Sequence, residues 1–291
     1  MRHQWRYYVV ELSIALAFSS SVLGQDSALT TIDYPGATST QAWGINPRGD
    51  IVGYYTTNRV THGFLLIGGR FTTIDYPGAS STFPSMINPR GDIVGAYTAG
   101  GVGHGFLLSG GAYTTIDFPN ATFTEANGIN PEGDIVGDYI LAGRRHGFLL
   151  SYGVYTTIDF PGATDLPGVP AVTLALAIGP LGDVVGGYRS AGVSHAFLLS
   201  GGAYTSFDPP GSTFTTATGI NPDGSIVGRY TSNNVVHGFL LSAGQFSTND
   251  VPGTIFTGNT SIDPQGDILG RYIGADGNFH GFLLSRPAEG T

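Results

Sequence analysis

The sequence predicts an all-β protein, a six-bladed β-propeller of four-stranded blades, because one repeat of roughly forty-two residues recurs six times along the chain. A first block, His-Gly-Phe-Leu-Leu or His-Ala-Phe-Leu-Leu, starts at His62, His104, His146, His195, His237 and His280. A second block, Thr-Thr-Ile-Asp-(Tyr/Phe)-Pro, carries Asp33, Asp75, Asp117 and Asp159, and it degenerates around Asp208 and Asp250. Successive histidines are 42, 42, 49, 42 and 43 residues apart, and the long interval reflects about seven residues inserted between Asp165 and Val172.

Each repeat is expected to form four short strands. β-Branched and aromatic residues are dense, and Gly or Pro interrupts every stretch that would otherwise suit a helix. The segment Asn46-Pro47-Arg48-Gly49 suits a type I turn, and Gly68-Gly69 suits a tight hairpin turn. In the first complete repeat, the first strand runs into Gly44-Ile45-Asn46, and the other three are expected at residues 50–55, 62–66 and 71–75.

The two ends of the repeat array predict how the ring closes. A lone fourth strand, residues 30–33, precedes the first complete repeat, and the chain ends just after a third strand, residues 280–284. We expect the N-terminal strand to complete the last blade, since closure removes the exposed sheet edge that an open solenoid would carry.

The first residues have the pattern of an export signal. Arg2 and Arg6 form a basic start, residues 9–22 are mostly apolar, and cleavage after Gly24 would leave Gln25 as the mature N-terminus. A retained anchor is the alternative, although the apolar stretch is short and contains Glu11. The prediction is a signal peptide at 1–24 and a single exported domain at 25–291, periplasmic or extracellular.

Composition limits the class of partner. The chain has no cysteine, which excludes disulfides and thiolate metal sites. Its net charge of -9 argues against nucleic acid and against anionic membrane surfaces, both of which need a basic footprint. We expect a monomer without membrane insertion after signal cleavage.

The repeated elements Gly-Ile-Asn, Gly-Asp-Ile-Val-Gly and His-(Gly/Ala)-Phe-Leu-Leu resemble the HAF-type extracellular repeat of bacteria. The resemblance covers nearly all of the predicted mature chain. Only His195-Ala196-Phe197 has the literal name motif, and Leu replaces the Trp often found at its end. The resemblance implies export and repetition, and it implies no biochemical activity.

The repeated His and Asp are interpreted as structural pairs. A two-residue turn at Gly110-Gly111 puts His104 opposite Asp117 across a hairpin. A catalytic group is needed once in a protein, whereas a structural contact between strands is needed in every blade. Six equivalent pairs therefore indicate a structural role. The predicted pairs are His62 with Asp75, His104 with Asp117, His146 with Asp159, His195 with Asp208, His237 with Asp250 and, through closure, His280 with Asp33.

The sequence predicts no catalytic residue, no metal site and no cofactor. It contains no zinc motif, no EF-hand pattern, no Gly-x-Ser-x-Gly elbow and no phosphate loop. The Asn-Pro-x-Gly-Asp segments around Asp50, Asp92, Asp134 and Asp267 are explained by turn chemistry. A calcium site made by loop Asp and Asn residues stays open.

The candidate ligand site lies where the copies differ, since repeated frames usually bind through the residues they vary. These positions are the predicted loop between strands two and three, and the residue before a tyrosine that ends strand two in every copy. The tyrosines themselves are interpreted either as packing residues or as platforms for a sugar or peptide. The candidate residues are Arg59, Asp138, Arg144, Arg145, Arg229, Asn233, Asn234, Arg271 and Asp276.

Two functions from different classes follow. The first is an exported, non-enzymatic binding or scaffold module that recognises a glycan, peptide or partner protein through the variable loop face. The alternative is an extracellular polysaccharide-active hydrolase or lyase in which carboxylates such as Asp138 or Asp276 act as acid and base. A purely structural role in the envelope or matrix, a third reading, predicts no pocket.

Overall fold

A computed structural model of the chain describes residues 28–165 and 168–286. The predicted signal peptide lies outside the described residues, as do Leu166 and Pro167 of the insertion. No helix among the described residues is both long and apolar enough to span a membrane.

The described strands form antiparallel meanders that follow the sequence repeat, and we number these units 1 to 6. Unit 1 contains β2 (Ser39–Ile45), β3 (Ile51–Thr57), β4 (Val60–Ile67) and β5 (Arg70–Ile74). Unit 2 contains β6 (Ser81–Ile87), β7 (Ile93–Ala99), β8 (Val102–Ser109) and β9 (Ala112–Ile116). Unit 3 contains β10 (Phe123–Ile129), β11 (Ile135–Leu141), β12 (Arg144–Ser151) and β13 (Val154–Ile158). Unit 4 contains β14 (Thr173–Ile178), β15 (Val184–Ser190), β16 (Val193–Ser200) and β17 (Ala203–Phe207). Unit 5 contains β18 (Phe214–Ile220), β19 (Ile226–Ser232), β20 (Val235–Ser242) and β21 (Gln245–Thr248). Unit 6 contains β22 (Thr257–Ile262), β23 (Ile268–Ile273), β24 (Phe279–Ser285) and β1 (Ala28–Ile32).

The units form an all-β propeller. Their first strands contact one another in a closed cycle, β2 with β6, then β10, β14, β18, β22 and again β2. Four units are separate four-stranded sheets, whereas units 4 and 5 share one eight-stranded sheet through the parallel bridge between Ser194 and Phe214. The first strands therefore surround a central axis, and the later strands of each unit lie progressively farther from it.

The N-terminal strand completes unit 6. Strand β1 pairs antiparallel with β24, from Ala28 opposite Ser285 to Ile32 opposite Gly281. On the inner side, Thr260 Oγ1 donates to the Ala42 carbonyl at 3.0 Å and so joins unit 6 to unit 1. The two ends of the array are thus held together by non-covalent contacts.

The core lies between neighbouring sheets. Each unit contributes the phenylalanine of its first sequence block, and all six are at most 1 % exposed: Phe64, Phe106, Phe148, Phe197, Phe239 and Phe282. Burial of a phenylalanine on this scale stabilises a fold by roughly 1.5–3 kcal/mol per side chain. The repeated apolar block is therefore the principal source of stability.

The connections differ from the expectation of variable loops between strands two and three. Strand β3 extends to Thr57 and β4 begins at Val60, so only Asn58 and Arg59 connect them, with φ of 49° and 65°. Such a two-residue turn of left-handed residues matches the twist of a hairpin. Units 2 to 5 have the same short connection, and unit 6 has residues 274–278. In units 1 to 5 the connections are shorter than the expected loops because the hairpin strands are longer than their apolar blocks, whereas the unit 6 connection is the expected loop.

The Asn-Pro turns have the predicted type I hydrogen bond, Gly49 N–H to the Asn46 carbonyl at 2.9 Å. The Asn46 side chain adds bonds to the backbone N–H groups of Arg48 and Asp50 and donates to the Asp50 carboxylate at 2.8 Å. Five further proline turns, which begin at Asn88, Asn130, Gly179, Asn221 and Asp263, have the same backbone hydrogen bond and lie at the same end of the axis, which we call the proline face. The opposite end, which carries the β3–β4 turns and the crossovers between units, is the crossover face.

We expect closure of the ring to depend on the protonation of His280. Its imidazole lies between two carboxylates, with Nδ1 at 3.0 Å from Asp33 and Nε2 at 3.1 Å from Asp276. Burial acts to lower the pKa of His280, but these hydrogen bonds outweigh it and raise the pKa above the usual 6.5. The stabilisation is therefore complete below the unfolded-state pKa and is lost as pH rises through the folded-state pKa.

Urea unfolding of the wild type and the His280→Gln variant across pH 5.5 to 8.5 measures this effect. The difference in unfolding free energy between the two should shrink as pH rises. The matched control is His62→Gln, since Nδ1 of His62 contacts Asp75 at 2.7 Å without a second carboxylate at Nε2 among the described residues. Equal pH profiles for the two variants would rule out a special role for His280.

Candidate functional site

A cavity of about 240 Å³ lies on the propeller axis and is lined by the first strands of all the described units. Each first strand contains a β-bulge, as between Ala42 and Gly44 of unit 1. A bulge inserts one residue into a strand and redirects its side chain. The bulged residue of every unit lines the cavity: Trp43, Ser85, Asn127, Leu176, Thr218 and Thr260.

A second layer of residues gives the cavity its charge. It consists of one cross-strand pair per unit between strands one and two, two positions before the bulge. The pairs are Gln41–Tyr54, Phe83–Ala96, Glu125–Asp138, Leu174–Gly187, Thr216–Arg229 and Gly258–Arg271. The positions of these pairs repeat in every unit, but their residue types differ. Acidic residues lie in unit 3, and basic residues lie in units 5 and 6.

The acidic wall is formed by Glu125, Asp138 and Arg145. The Asp138 side chain is 1 % exposed, and its Oδ1 accepts a hydrogen bond from Asn127 Nδ2 at 2.8 Å. Arg145 pairs through Nε with Asp138 Oδ2 and through Nη2 with Glu125 Oε2 at 3.3 Å. Burial, with a smaller contribution from the Asp138 charge, raises the pKa of Glu125 to about 7, and its side chain keeps 28 % exposure.

The basic wall is formed by Arg229 and Arg271. Among the described residues, no carboxylate lies within ion-pair distance of either guanidinium. Arg229 lies over the Phe214 ring at 5.6 Å, and Arg271 lies over the Trp43 ring at 4.6 Å. Burial, followed by the nearby charge of Arg271, lowers the pKa of Arg229 to about 10, so it stays cationic at neutral pH.

One further group next to the cations lacks a partner. Thr216 lines the cavity and is 5 % exposed, yet its Oγ1 has no hydrogen-bond partner among the described residues. A buried hydroxyl without a partner costs roughly 1–3 kcal/mol, so such groups are usually satisfied by something bound. Trp43, Tyr54, Phe83 and Phe214 supply aromatic walls around these polar groups.

The structure divides the predicted ligand residues into two groups. Asp138, Arg145 and Arg229 line the cavity, and Arg271 packs on its wall against Trp43. Arg59, Asn233, Asn234 and Asp276 lie in the hairpin connections at the crossover face. Arg144 and Arg145 are not loop residues but begin β12, and Arg144 pairs with Asp165 of the inserted segment at 3.0 Å.

The six predicted His–Asp pairs all lie within hydrogen-bond distance, with closest contacts between Nδ1 and a carboxylate oxygen of 2.6 to 3.0 Å. In unit 1, the Tyr55 ring stacks on His62 at 5.4 Å and on Tyr34 at 3.6 Å. Tyr55 is 6 % exposed and its hydroxyl bonds Thr73 at 2.9 Å. These rings are packing residues outside the cavity.

Glu125 and Trp43 were missed by the sequence reasoning. Tyr54 belongs to the varied column before the second-strand tyrosine, which the sequence did indicate, although Tyr54 was not among the candidate ligand residues. Glu125 and Trp43 lie on strand one, where only the ending Gly-Ile-Asn had been compared between copies. Comparing the whole of strand one would have identified Glu125 as the single acid in its column.

Comparison with solved structures gives the fold and no more. A structure described as putative TolB from Agrobacterium tumefaciens has a TM-score of 0.60 at 14 % identity, covering 90 % of this chain and 99 % of that one. A putative gluconolactonase gives 0.53 at 12 % identity, covering 90 % and 94 %. A streptogramin B lyase gives 0.51 at 15 % identity, covering 92 % and 90 %.

No family model and no curated protein matches the chain. The resemblance to the HAF-type repeat therefore rests on the repeated motifs alone. At these identities the solved structures carry no activity over to this chain. What they show, together with the closed cycle of first strands, is that the chain is a β-propeller.

Proposed function

We propose that the protein is an exported, non-enzymatic binding protein that holds a small anionic molecule in the central cavity of a six-bladed propeller. The observation that carries this proposal is the pair of guanidinium groups, Arg229 and Arg271, without a carboxylate partner among the described residues. In the proposed count, the eight-stranded sheet comprises two blades. An HAF-type identity agrees with the repeated motifs.

The energetics support a bound anion. Removing a cation from water is costly unless an opposite charge accompanies it, and no carboxylate of the described residues pairs with either guanidinium. Arg271 donates through Nη1 to Gln41 Oε1, a neutral acceptor, while its Nε is buried without a partner. A carboxylate or phosphate in the cavity would form charge-assisted hydrogen bonds with Arg229, which lines it, and would offset the nearby charge of Arg271.

The enzyme alternative has one favourable observation, the adjacent carboxyl groups of Glu125 and Asp138 on one cavity wall. A glycosidase needs two carboxyl groups free to reach the substrate. Both oxygens of Asp138 already accept hydrogen bonds, from Asn127 and Arg145, and its side chain is almost fully buried. Only Glu125 remains available, which favours binding over hydrolysis.

Calorimetric titration of the mature protein tests the proposal. The panel contains free dipeptides, uronic acids, sugar phosphates and the corresponding neutral sugars. We expect binding among the anionic compounds and not the neutral ones, and an affinity loss of at least about tenfold in Arg229→Gln, as expected for a lost charge-assisted bond. The control is Arg70→Gln, since Arg70 lies exposed at the start of β5.

Binding of neutral sugars with equal affinity, or unchanged affinity in Arg229→Gln, would contradict anion recognition. Breakdown of extracellular polysaccharide incubated with the protein for a day would instead support the enzyme alternative. Export is tested separately, since the mass of the exported protein should correspond to a chain that begins at Gln25.

A further inference from the structure

Resting on the proposed function, we infer that the bound molecule is a zwitterion of about dipeptide length, whose carboxylate contacts Arg229 and whose ammonium contacts Glu125. The inference deepens the proposal by adding a second charged contact on the opposite wall. It depends on the distribution of charge around the axis.

Charge is separated across the cavity. In the cycle of first strands, β10 of unit 3 is three steps from β22 of unit 6 and two steps from β18 of unit 5. Unit 3 carries Glu125 and Asp138, while units 5 and 6 carry Arg229 and Arg271. A simple anion would satisfy the cations and leave the acidic wall facing it across the cavity.

The acidic wall has capacity for a cation. Among the residues that the structure describes, Arg145 is the single basic residue that pairs with this wall, so the cluster of two carboxyl groups and one guanidinium carries excess negative charge when Glu125 is ionised. Asp138 is fully engaged, whereas Glu125 is bound only through Oε2 and remains partly exposed to the cavity. Glu125 is therefore the group positioned to accept a hydrogen bond from a ligand ammonium.

The neutral units define the middle of the ligand. Between the charged walls lie Leu174 and Leu176 on one side and Phe83 and Met86 on the other, all lining the cavity. In an α-amino acid, the ammonium and carboxylate groups are attached to the same carbon. A longer molecule with an apolar centre, such as a dipeptide of apolar residues, is therefore better suited to contact both charged walls.

Thr216 lies beside Arg229, and its buried hydroxyl has no hydrogen-bond partner among the described residues. Thr216 and Arg229 are opposite each other in the register of β18 and β19. Thr216 Oγ1 itself is closed off from the cavity, so the carboxylate contact is assigned to the Arg229 guanidinium, which lines it. The carboxylate end of the ligand is accordingly assigned to unit 5.

The experiment compares leucyl-alanine with its N-acetyl and C-amide derivatives by calorimetry on the mature protein. N-acetylation removes the ammonium and amidation removes the carboxylate, with little other change. We expect the free dipeptide to bind at least about tenfold more tightly than either derivative. In Glu125→Gln, the free and N-acetyl forms should bind equally, while Glu132→Gln, an exposed glutamate of the same unit, should behave as wild type.

The direction of the pH dependence is a second readout. The groups facing Glu125 are Asp138, Arg145 and Tyr54, and the pKa of Glu125 is about 7. The peptide amino group, with a pKa of about 7.7–8.0, stays charged below pH 7. Affinity for the free dipeptide should therefore rise about tenfold between pH 5.5 and 7 and stay flat in Glu125→Gln, whereas a simple anion should bind no better as Glu125 ionises.

The outcomes separate this inference from the proposed function. Equal binding of the free and N-acetyl dipeptides would overturn the zwitterion and leave anion binding standing. Tighter binding of the C-amide than of the free dipeptide would contradict both. If the free dipeptide fails to bind while uronic acids bind through Arg229, the inference is wrong and the proposed function holds.

Discussion

Replacing Arg229 with methionine should make the ligand-free protein more stable while abolishing ligand binding. The substitution removes a largely buried cation that has no carboxylate partner among the described residues and lies near a second cation, Arg271. Exchange of buried ionic groups for apolar ones of similar volume is often stabilising by about 1–4 kcal/mol. Methionine preserves the packing against Phe214. We expect a gain of about 1–2 kcal/mol, since part of the charge is already solvated in the cavity.

Thermal unfolding without ligand measures this gain, which corresponds to roughly 2–4 °C per kcal/mol for a chain of this size. The control is Arg70→Met, where an exposed cation is lost and little change is expected. A lower melting temperature for Arg229→Met would show that Arg229 contributes to folding, and the reason for assigning it to a ligand would be gone.

Replacing Gly53 with alanine should cost at least about 3 kcal/mol, beyond the usual range for overpacking. An added Cβ would lie 2.1 Å from the Gln41 carbonyl oxygen, 2.9 Å from the Phe64 ring and 3.0 Å from Ala42 Cα. Two of these contacts are backbone of the neighbouring strand, which cannot move without displacing the bulge that carries Trp43. The equivalent glycine of every other unit meets a backbone carbonyl in the same way: Gly95, Gly137, Gly186, Gly228 and Gly270.

Urea unfolding compares this variant with Gly49→Ala in the same unit. Gly49 has a φ of +78° and open space around it, so alanine there should cost only the left-handed backbone penalty of about 1–2 kcal/mol. Similar losses for the two variants would mean that the close approach of β2 and β3 does not limit stability. Impaired ligand binding is also expected in Gly53→Ala, because strand β2 carries the cavity residues.

The repeat made much of the fold predictable. The turn signals at Asn46-Pro47 and Gly68-Gly69 delimit strands because Pro and Gly fix particular backbone conformations. The pairing of β1 with β24 follows from an unmatched strand at each end of the array. Strand ends were less predictable, since β3 continues through Thr56 and Thr57, which have no apolar signal but complete the hairpin ladder.

The site was only partly predictable, for a physical reason. The column that contains Asp138, Arg229 and Arg271 stands out because it holds five different residue types in six copies while its neighbours repeat. The bulge on strand one is invisible in the sequence, because it arises from a shift in pairing between two strands rather than from a residue type. The bulge brings Trp43 and Asn127 to the axis. The sequence alone predicts only that the first strand is a core strand.

The repeated residues that hold the ring together are separate from the residues that line the cavity. This separation would let one repeat support the proposed recognition of a ligand. The buried phenylalanines and the His–Asp pairs are the same in every unit and maintain the ring. The two inward-facing layers differ between units and give the cavity its charged ends and apolar middle. We therefore expect substitutions at these positions to change the proposed ligand specificity without altering the contacts that hold the sheets together.

Tryptophan fluorescence tests the central claim, anion binding in the cavity, most directly. The chain has two tryptophans, and Trp5 lies in the predicted signal peptide, so Trp43 on the cavity wall is the single reporter in the mature protein. Titration with the carboxylates of the calorimetric panel should give a saturable change in emission for at least one of them, and Arg229→Gln should remove it. No saturable change with any carboxylate, or the same change in Arg229→Gln, would contradict the assignment of the cavity as an anion site.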